Sequence, residues 1–284
     1  MSIRVTDLFR YPVKSMGGHR LQQVHLGPLG LPGDRCWTLK DEERGGIKGG
    51  KRFPELMSMS ARLSSEPSPD QPSPEAIITL ADGSEISITD PEVNATLSSE
   101  VGAPVSVWPL LPADQLDHYR RLPPEPGTDM EASLREVFAR TPDEPLPDLA
   151  TFPAELMSYE SPPGTYFDAF PLLIISSGAL QALQSVSEAQ FDLRRFRPNI
   201  LVDTGTTGFA EDTWAGREAR IGDAVLKMEM ACPRCIMTTH GFNDLPKDPG
   251  IMRTLVKENS GNLGIYASVV EPGLISCGDE LTLL

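Results

Sequence analysis

Short β-prone runs, broken by proline, glycine or acidic residues, recur along nearly the whole sequence and constrain its fold more than any single motif does. Residues 3–13, 21–26 and 35–39 carry β-branched and apolar side chains in partial alternation, as half-buried strands do. Residues 76–88 read as a hairpin turning at Asp82-Gly83, a pair suited to the positive φ angles of tight loops. Residues 171–175, 199–202, 224–230, 264–270 and 280–284 read as further strands, with a turn at Glu271-Pro272-Gly273. Helical patterning is confined to four stretches: 91–101, with Asp90 as N-cap and Pro91 in first position, then 130–139, 177–186 and 248–257. The sequence has no internal repeat and no glycine-rich phosphate loop. Many short strands with few helices predict an α+β, β-rich chain of two mostly antiparallel, barrel-like units with a few peripheral helices.

The stretch 64–75 is rich in proline, serine and acid and reads as an exposed loop. A second proline-rich acidic stretch, 122–153, marks the expected boundary, giving one unit over residues 1–120 and another over 121–284. The formal net charge is −15, which argues against a nucleic-acid or anionic-membrane binder, since either needs a basic face. Four cysteines are too few for a disulfide scaffold of this size. Met1-Ser2-Ile3-Arg4-Val5 leads straight into the first strand pattern, and no apolar run is long enough to span a bilayer. The expectation is a cytoplasmic protein with reduced thiols and neither a nucleic-acid nor a membrane partner.

Cys232-Pro233-Arg234-Cys235 is the segment with most chemical potential. Two cysteines at this spacing can be a redox pair, half of a zinc site, or two small hydrophobes. The following Ile236-Met237-Thr238-Thr239 is β-prone and a poor first helical turn, which weakens the thioredoxin-like reading. A complete zinc set would have to recruit His240 and distant Cys36 or Cys277. Arg234 favours a thiolate beside it. Cations also gather elsewhere in this acidic chain: Arg194-Arg195-Phe196-Arg197 before Pro198-Asn199, Lys14-Ser15 after the first strand, Arg35 near Trp37, and Lys51-Arg52. Arginine forks, a lysine and a hydroxyl suit phosphate, and an asparagine amide suits a heterocycle edge. Together they point to an anionic, phosphorylated ligand near a reactive thiolate.

These segments resemble, in order and spacing, the MOSC proteins with an N-terminal β-barrel domain, the group that includes the mitochondrial amidoxime-reducing component. The matching residues are Leu8 to Ser15, Gly33-Asp34-Arg35 with Trp37, Lys51 with Pro54 and Leu56, Asp168 with 171–176, and Phe196 to Ile200. Glu211 to Trp214, Ile221-Gly222-Asp223, Cys232 to Thr239 and Gly278-Asp279-Glu280 complete the set. The resemblance implies the MOSC fold and a molybdenum cofactor (Mo-molybdopterin), with Cys235 as the metal ligand and catalytic centre. It assigns Lys14, Ser15, Arg35, Asp168, Arg197, Asn199 and Arg234 to the pterin and its phosphate. Phe170 and His240-Gly241-Phe242 depart from the eukaryotic pattern, the latter bearing on substrate choice. Cys277 lies outside these motifs and is expected to be structural. The implied activity is reduction of N-hydroxylated compounds, fed by an external flavin- or iron–sulfur-containing reductase system, since the chain ends at Leu284 without a cluster motif. A cofactor carrier, and a zinc or thiol-redox protein using Cys232 with Cys235, are the alternatives.

Overall fold

The computed structural model describes residues 2–284. In chain order its strands are β1 (Ile3–Arg10), β2 (His19–Leu21), β3 (Gln23–Leu26), β4 (Trp37–Asp41), β5 (Ile47–Lys48), β6 (Ser60–Leu63), β7 (Ala76–Thr79) and β8 (Glu85–Ser87). There follow β9 (Val105–Pro109), β10 (Leu172–Ser176), β11 (Ile200–Asp203), β12 (Glu218–Ile221), β13 (Ala224–Pro233), β14 (Asn262–Glu271), β15 (Gly273–Ser276) and β16 (Glu280–Leu283). The helices are α1 (Val93–Val101), α2 (Leu116–Tyr119), α3 (Met130–Val137), α4 (Ser177–Ser185) and α5 (Gly250–Asn259). The β-rich, mostly antiparallel α+β fold with few helices is the expected class.

Seven strands close a barrel in the order β11-β10-β14-β13-β12-β16-β1, with β1 returning to pair with β11. Six of its seven pairings are antiparallel; β10 and β11 run parallel. Inward-facing Val5, Leu8, Ile174, Ile200, Leu226 and Ile265 fill it. The other unit wraps two three-stranded sheets, β5-β4-β9 and β6-β7-β8, and α1 around one core that includes Val13, Leu39, Leu56, Ile78 and Leu97. The β7–β8 hairpin turns where Asp82-Gly83 predicts, with Gly83 at φ +87° and Ser84 N–H donating to Asp82 Oδ1 at 2.9 Å.

The sequence boundary at 120/121 is not a spatial one. β1 belongs to the first stretch of chain, yet it is a stave of the barrel otherwise built from residues 172–283. An irregularity between Val5 and Asp7 in the pairing with β11 accompanies the burial of Val5 and Leu8, which join the barrel core between β11 and β16. A ribbon of β3 with β15 adds a second link. α4 and α5 cover the barrel through Ala179, Leu183, Ile251, Met252 and Leu255.

Several expected boundaries shift. α1 begins at Val93, because Asp90 Oδ1 accepts from Glu92 N–H at 2.8 Å and closes a preceding turn. Residues 236–239, expected to be extended, form a 3-10 turn with Cys235 at its N-cap. The Thr238 and Thr239 hydroxyls donate to the Cys235 and Ile236 carbonyls at 3.0 and 2.8 Å, satisfying the backbone locally and overriding β propensity.

Candidate functional site

The barrel mouth is where the chemistry-bearing segments meet. β1 ends beside the starts of β10 and β11, and Tyr266 of β14 and the segment from Cys232 to Thr238 line the same hollow. The segment after β1 pairs with the segment before β4: Arg35 N–H donates to Tyr11 O at 2.6 Å, and Lys14 N–H to Trp37 O at 2.9 Å. This cross-link brings Lys14, Ser15 and Arg35 together. All eight residues singled out in the sequence (Lys14, Ser15, Arg35, Asp168, Arg197, Asn199, Arg234 and Cys235) line one pocket at this mouth.

Three of them share an uncommon backbone. Ser15, Arg35 and Arg197 have φ of 71°, 48° and 55°, a region residues bearing a Cβ rarely adopt. Such strain persists where surrounding structure imposes it, often at functional sites. Tyr11 is the support. Its N–H donates to Asp34 Oδ1 at 2.7 Å and its hydroxyl to Pro198 O at 3.0 Å. The Arg197 and Arg35 guanidinium carbons lie 4.4 and 5.3 Å from the centre of its ring. Arg35 pairs with buried Asp34, and Arg197 donates to Met16 O.

The pocket holds more positive charge than its own acids offset. Burial and the like charge of Arg35 push the Arg197 guanidinium down to about 10, so it stays charged at neutral pH. Its buried Nη2 has no hydrogen-bond partner, and neither has buried Arg234 Nε. Lys14 donates to Asp168 Oδ1 and Tyr166 O, each at 2.8 Å. Against the desolvation of its site, the charges of Lys14, Lys51 and Arg35 hold the Asp168 carboxyl well below the usual carboxylate range. Buried donors left open in a cationic pocket fit an anion with several acceptor oxygens.

The two cysteines differ. Cys232 is 1 % exposed, its thiol is pushed up by burial, and its Sγ accepts from Arg234 Nη1 at 3.0 Å. Arg234 also donates to Phe196 O at 2.7 Å, so Cys232 helps to aim it. Cys235 is half-buried, lines the pocket, and is a free thiol like Cys232. Among the described residues no three His, Cys, Asp or Glu side chains gather as a zinc set would require.

Other candidates separate. Arg194 is drawn away to Asp192 and Asp244 at the surface. Arg195 lines the pocket, but its guanidinium donates to the carbonyls of Thr238, His240 and Pro246, fastening the segment after Cys235. Asn199 Oδ1 accepts from Leu173 N–H at 3.2 Å and its Nδ2 donates to Phe9 O at 3.4 Å, tying three staves together and leaving one N–H free. His240 does not line the pocket. Sequence reasoning missed Tyr266, which lines the pocket from β14 with its ring tilted 39° against that of Phe170, 5.4 Å between centres. It lies in an ordinary alternating strand, with no local signal to mark it.

Comparison with known proteins agrees with this architecture. Residues 2–101 match the MOSC N-terminal beta barrel domain and residues 163–282 the MOSC domain. Mitochondrial amidoxime-reducing component 1 of Mus musculus is 28% identical over 318 residues, covering 99% of this chain and 82% of that protein. Mitochondrial amidoxime reducing component 2 of Homo sapiens is 47% identical over 135 residues, covering 41% of this chain and 38% of that protein. Molybdenum cofactor sulfurase of Drosophila mojavensis is 28% identical over 122 residues, 39% of this chain and 15% of that protein. With both domains in sequence and homology to amidoxime-reducing components along its length, the chain belongs to the MOSC-domain family.

Proposed function

We propose that this chain is a molybdenum-cofactor-dependent reductase of N-hydroxylated compounds. The observation that carries the reading is the cationic pocket around a half-buried thiol, with Arg197 Nη2 and Arg234 Nε unpaired. The residues fit a pterin dithiolene bearing a phosphate: cations and N–H donors for the phosphate, and a soft thiolate for the metal. When bound, the group supplies two-electron chemistry that removes oxygen from an N–O bond.

The residues of the chain divide the remaining work. Cys235 ligates the metal. Arg197, Arg35 and Arg234, together with Lys14 and Ser15, hold the anionic and heterocyclic parts. Asp168 neutralises Lys14 at the mouth. Asn199 keeps the staves under the pocket in register and offers its remaining N–H. Overall, an amidoxime, two electrons and two protons give an amidine and water. The electrons come from an external flavin- or iron–sulfur-containing reductase. No helix among the described residues is long and apolar enough to cross a membrane, and we take the cytoplasm as the working compartment.

The test is molybdenum and pterin content after expression in a host that makes the cofactor. Near-stoichiometric metal, lost in Cys235→Ala, is the expected result; cofactor-free or zinc-loaded protein would overturn the reading. The similarity to a molybdenum cofactor sulfurase favours a second role, cofactor storage or delivery. Steady reduction of benzamidoxime by loaded protein with reduced methyl viologen separates the two, since a carrier shows none.

A further inference from the structure

Beside the mouth lies a second hollow of about 180 Å³ that shares Lys14, Ser15, Asp168 and Met237 with the thiol pocket, so the two are continuous. One wall is the loop from Lys48 to Arg52; Arg121 and Glu160 stand opposite. The loop is held tightly. Gly50 N–H donates to Ser15 Oγ at 2.8 Å, and a Cβ at Gly50 would stand 2.7 Å from Met237 Cε. Two successive glycines let this backbone approach the site, and Lys51 follows them directly.

Five cations line the hollow against two carboxylates, Glu160 and Asp168, in a chain of net charge −15. Four of the five are engaged. Lys48 and Arg121 share Glu160 at 2.8 and 3.1 Å, Lys14 holds Asp168 at 2.8 Å, and Arg52 leans on Asp41 at 3.4 Å. Among the described residues Lys51 makes no such ion pair. It is the one charge here left to meet something from outside.

We propose that this hollow receives a carboxylate or phosphate group carried by the N-hydroxylated substrate, with Lys51 as the charge that meets it. The proposal rests on the reductase reading and adds a substrate class to it. The N–O group turns toward Cys235 while the anionic end stays beside the Gly49-Gly50 loop. A compact ammonium suits either anion as a point charge. A fixed glycine loop keeps that charge where the ligand needs it.

The experiment compares 4-carboxybenzamidoxime with benzamidoxime on the cofactor-loaded protein, using reduced methyl viologen as electron source. The readout is the ratio of their kcat/KM values, with cofactor content measured in parallel. The expected preference is about tenfold for the carboxylated compound, as for one hydrogen-bonded charge pair. It should collapse toward unity in Lys51→Ala and largely return in Lys51→Arg. A wild-type ratio near unity, or one indifferent to Lys51, overturns the proposal. So does loss of cofactor in Lys51→Ala with the ratio unchanged, which would give Lys51 to the cofactor phosphate. Should neither compound turn over, calorimetric binding of 4-carboxybenzamidoxime to the same proteins decides. Binding weakened by Lys51→Ala upholds the anion site while removing the reductase reading, and binding indifferent to Lys51 removes both.

Discussion

Ser15 holds a left-handed backbone at φ 71° and spends its hydroxyl on the Gly50 N–H. Those two facts can be separated by mutation. Ser15→Ala and Ser15→Gly both lose the hydroxyl, but only glycine relaxes the backbone. The glycine variant should therefore be the more stable by about 1 kcal/mol in urea unfolding, with cofactor retention reduced in both. The reverse order of stability would mean the backbone is not strained. Cys232 and Cys235 separate as cleanly. Burial pushes the Cys36 thiol up to about 12 and raises that of Cys232, so both should resist an aromatic disulfide reagent while Cys235 reacts in the cofactor-free protein. Cys232→Ala should cost about 1–3 kcal/mol of stability, through a cavity and a lost acceptor for Arg234, yet retain metal. Equal metal loss in both cysteine variants would return the pair to a zinc or thiol role. The sequence marked the pocket residues because glycine, arginine and cysteine chemistry is local in the chain. Side-chain chemistry alone did not separate Arg195 from Arg197, which only the resemblance singled out, since one meets carbonyls of residues 238–246 while the other keeps Nη2 unpaired, a difference set by distant chain.

α4 depends on a carboxylate outside itself. Its N-cap Ser176 accepts from Ala179 N–H at 3.1 Å, and the Ser176 hydroxyl and N–H both donate to fully buried Glu211, at 2.5 and 3.1 Å. Desolvation raises the Glu211 carboxyl above the usual glutamate value. A raised carboxylate favours the folded state when protonated, so this site's contribution falls as pH rises from the ordinary glutamate value through the folded one. Glu211→Gln should flatten that dependence, whereas Glu211→Ala, leaving both Ser176 donors without an acceptor, should cost about 2 kcal/mol or more in urea unfolding at any pH. An alanine variant as stable as wild type would mean the cap stands without Glu211. α4 itself was legible from its amphipathic pattern; its acceptor, 35 residues on, was not. Short edge elements were missed for a related reason. β9 and β15 are stabilised by partners at residues 37–41 and 23–26 rather than by their own alternation.

At the scale of the molecule, the barrel is circular in space but not in sequence. Strand β1 supplies the stave between β11 and β16, so a fragment comprising residues 121–284 would expose two strand edges and the apolar lining. That fragment should aggregate or lack cooperative unfolding, and addition of a peptide spanning residues 2–26 should restore a monomer by gel filtration. Independent folding of the fragment would show that the barrel closes without β1. The barrel-like class was readable from strand density. The crossing of β1 was not, because alternation reveals a buried face and never the strand that buries it. The same stave orders events during folding. β1 precedes both of its barrel neighbours, β11 and β16, by most of the described residues. Closure of the barrel therefore rests on contacts of long sequence separation, so it comes late in folding, and the mouth framed by the far end of β1 forms with it.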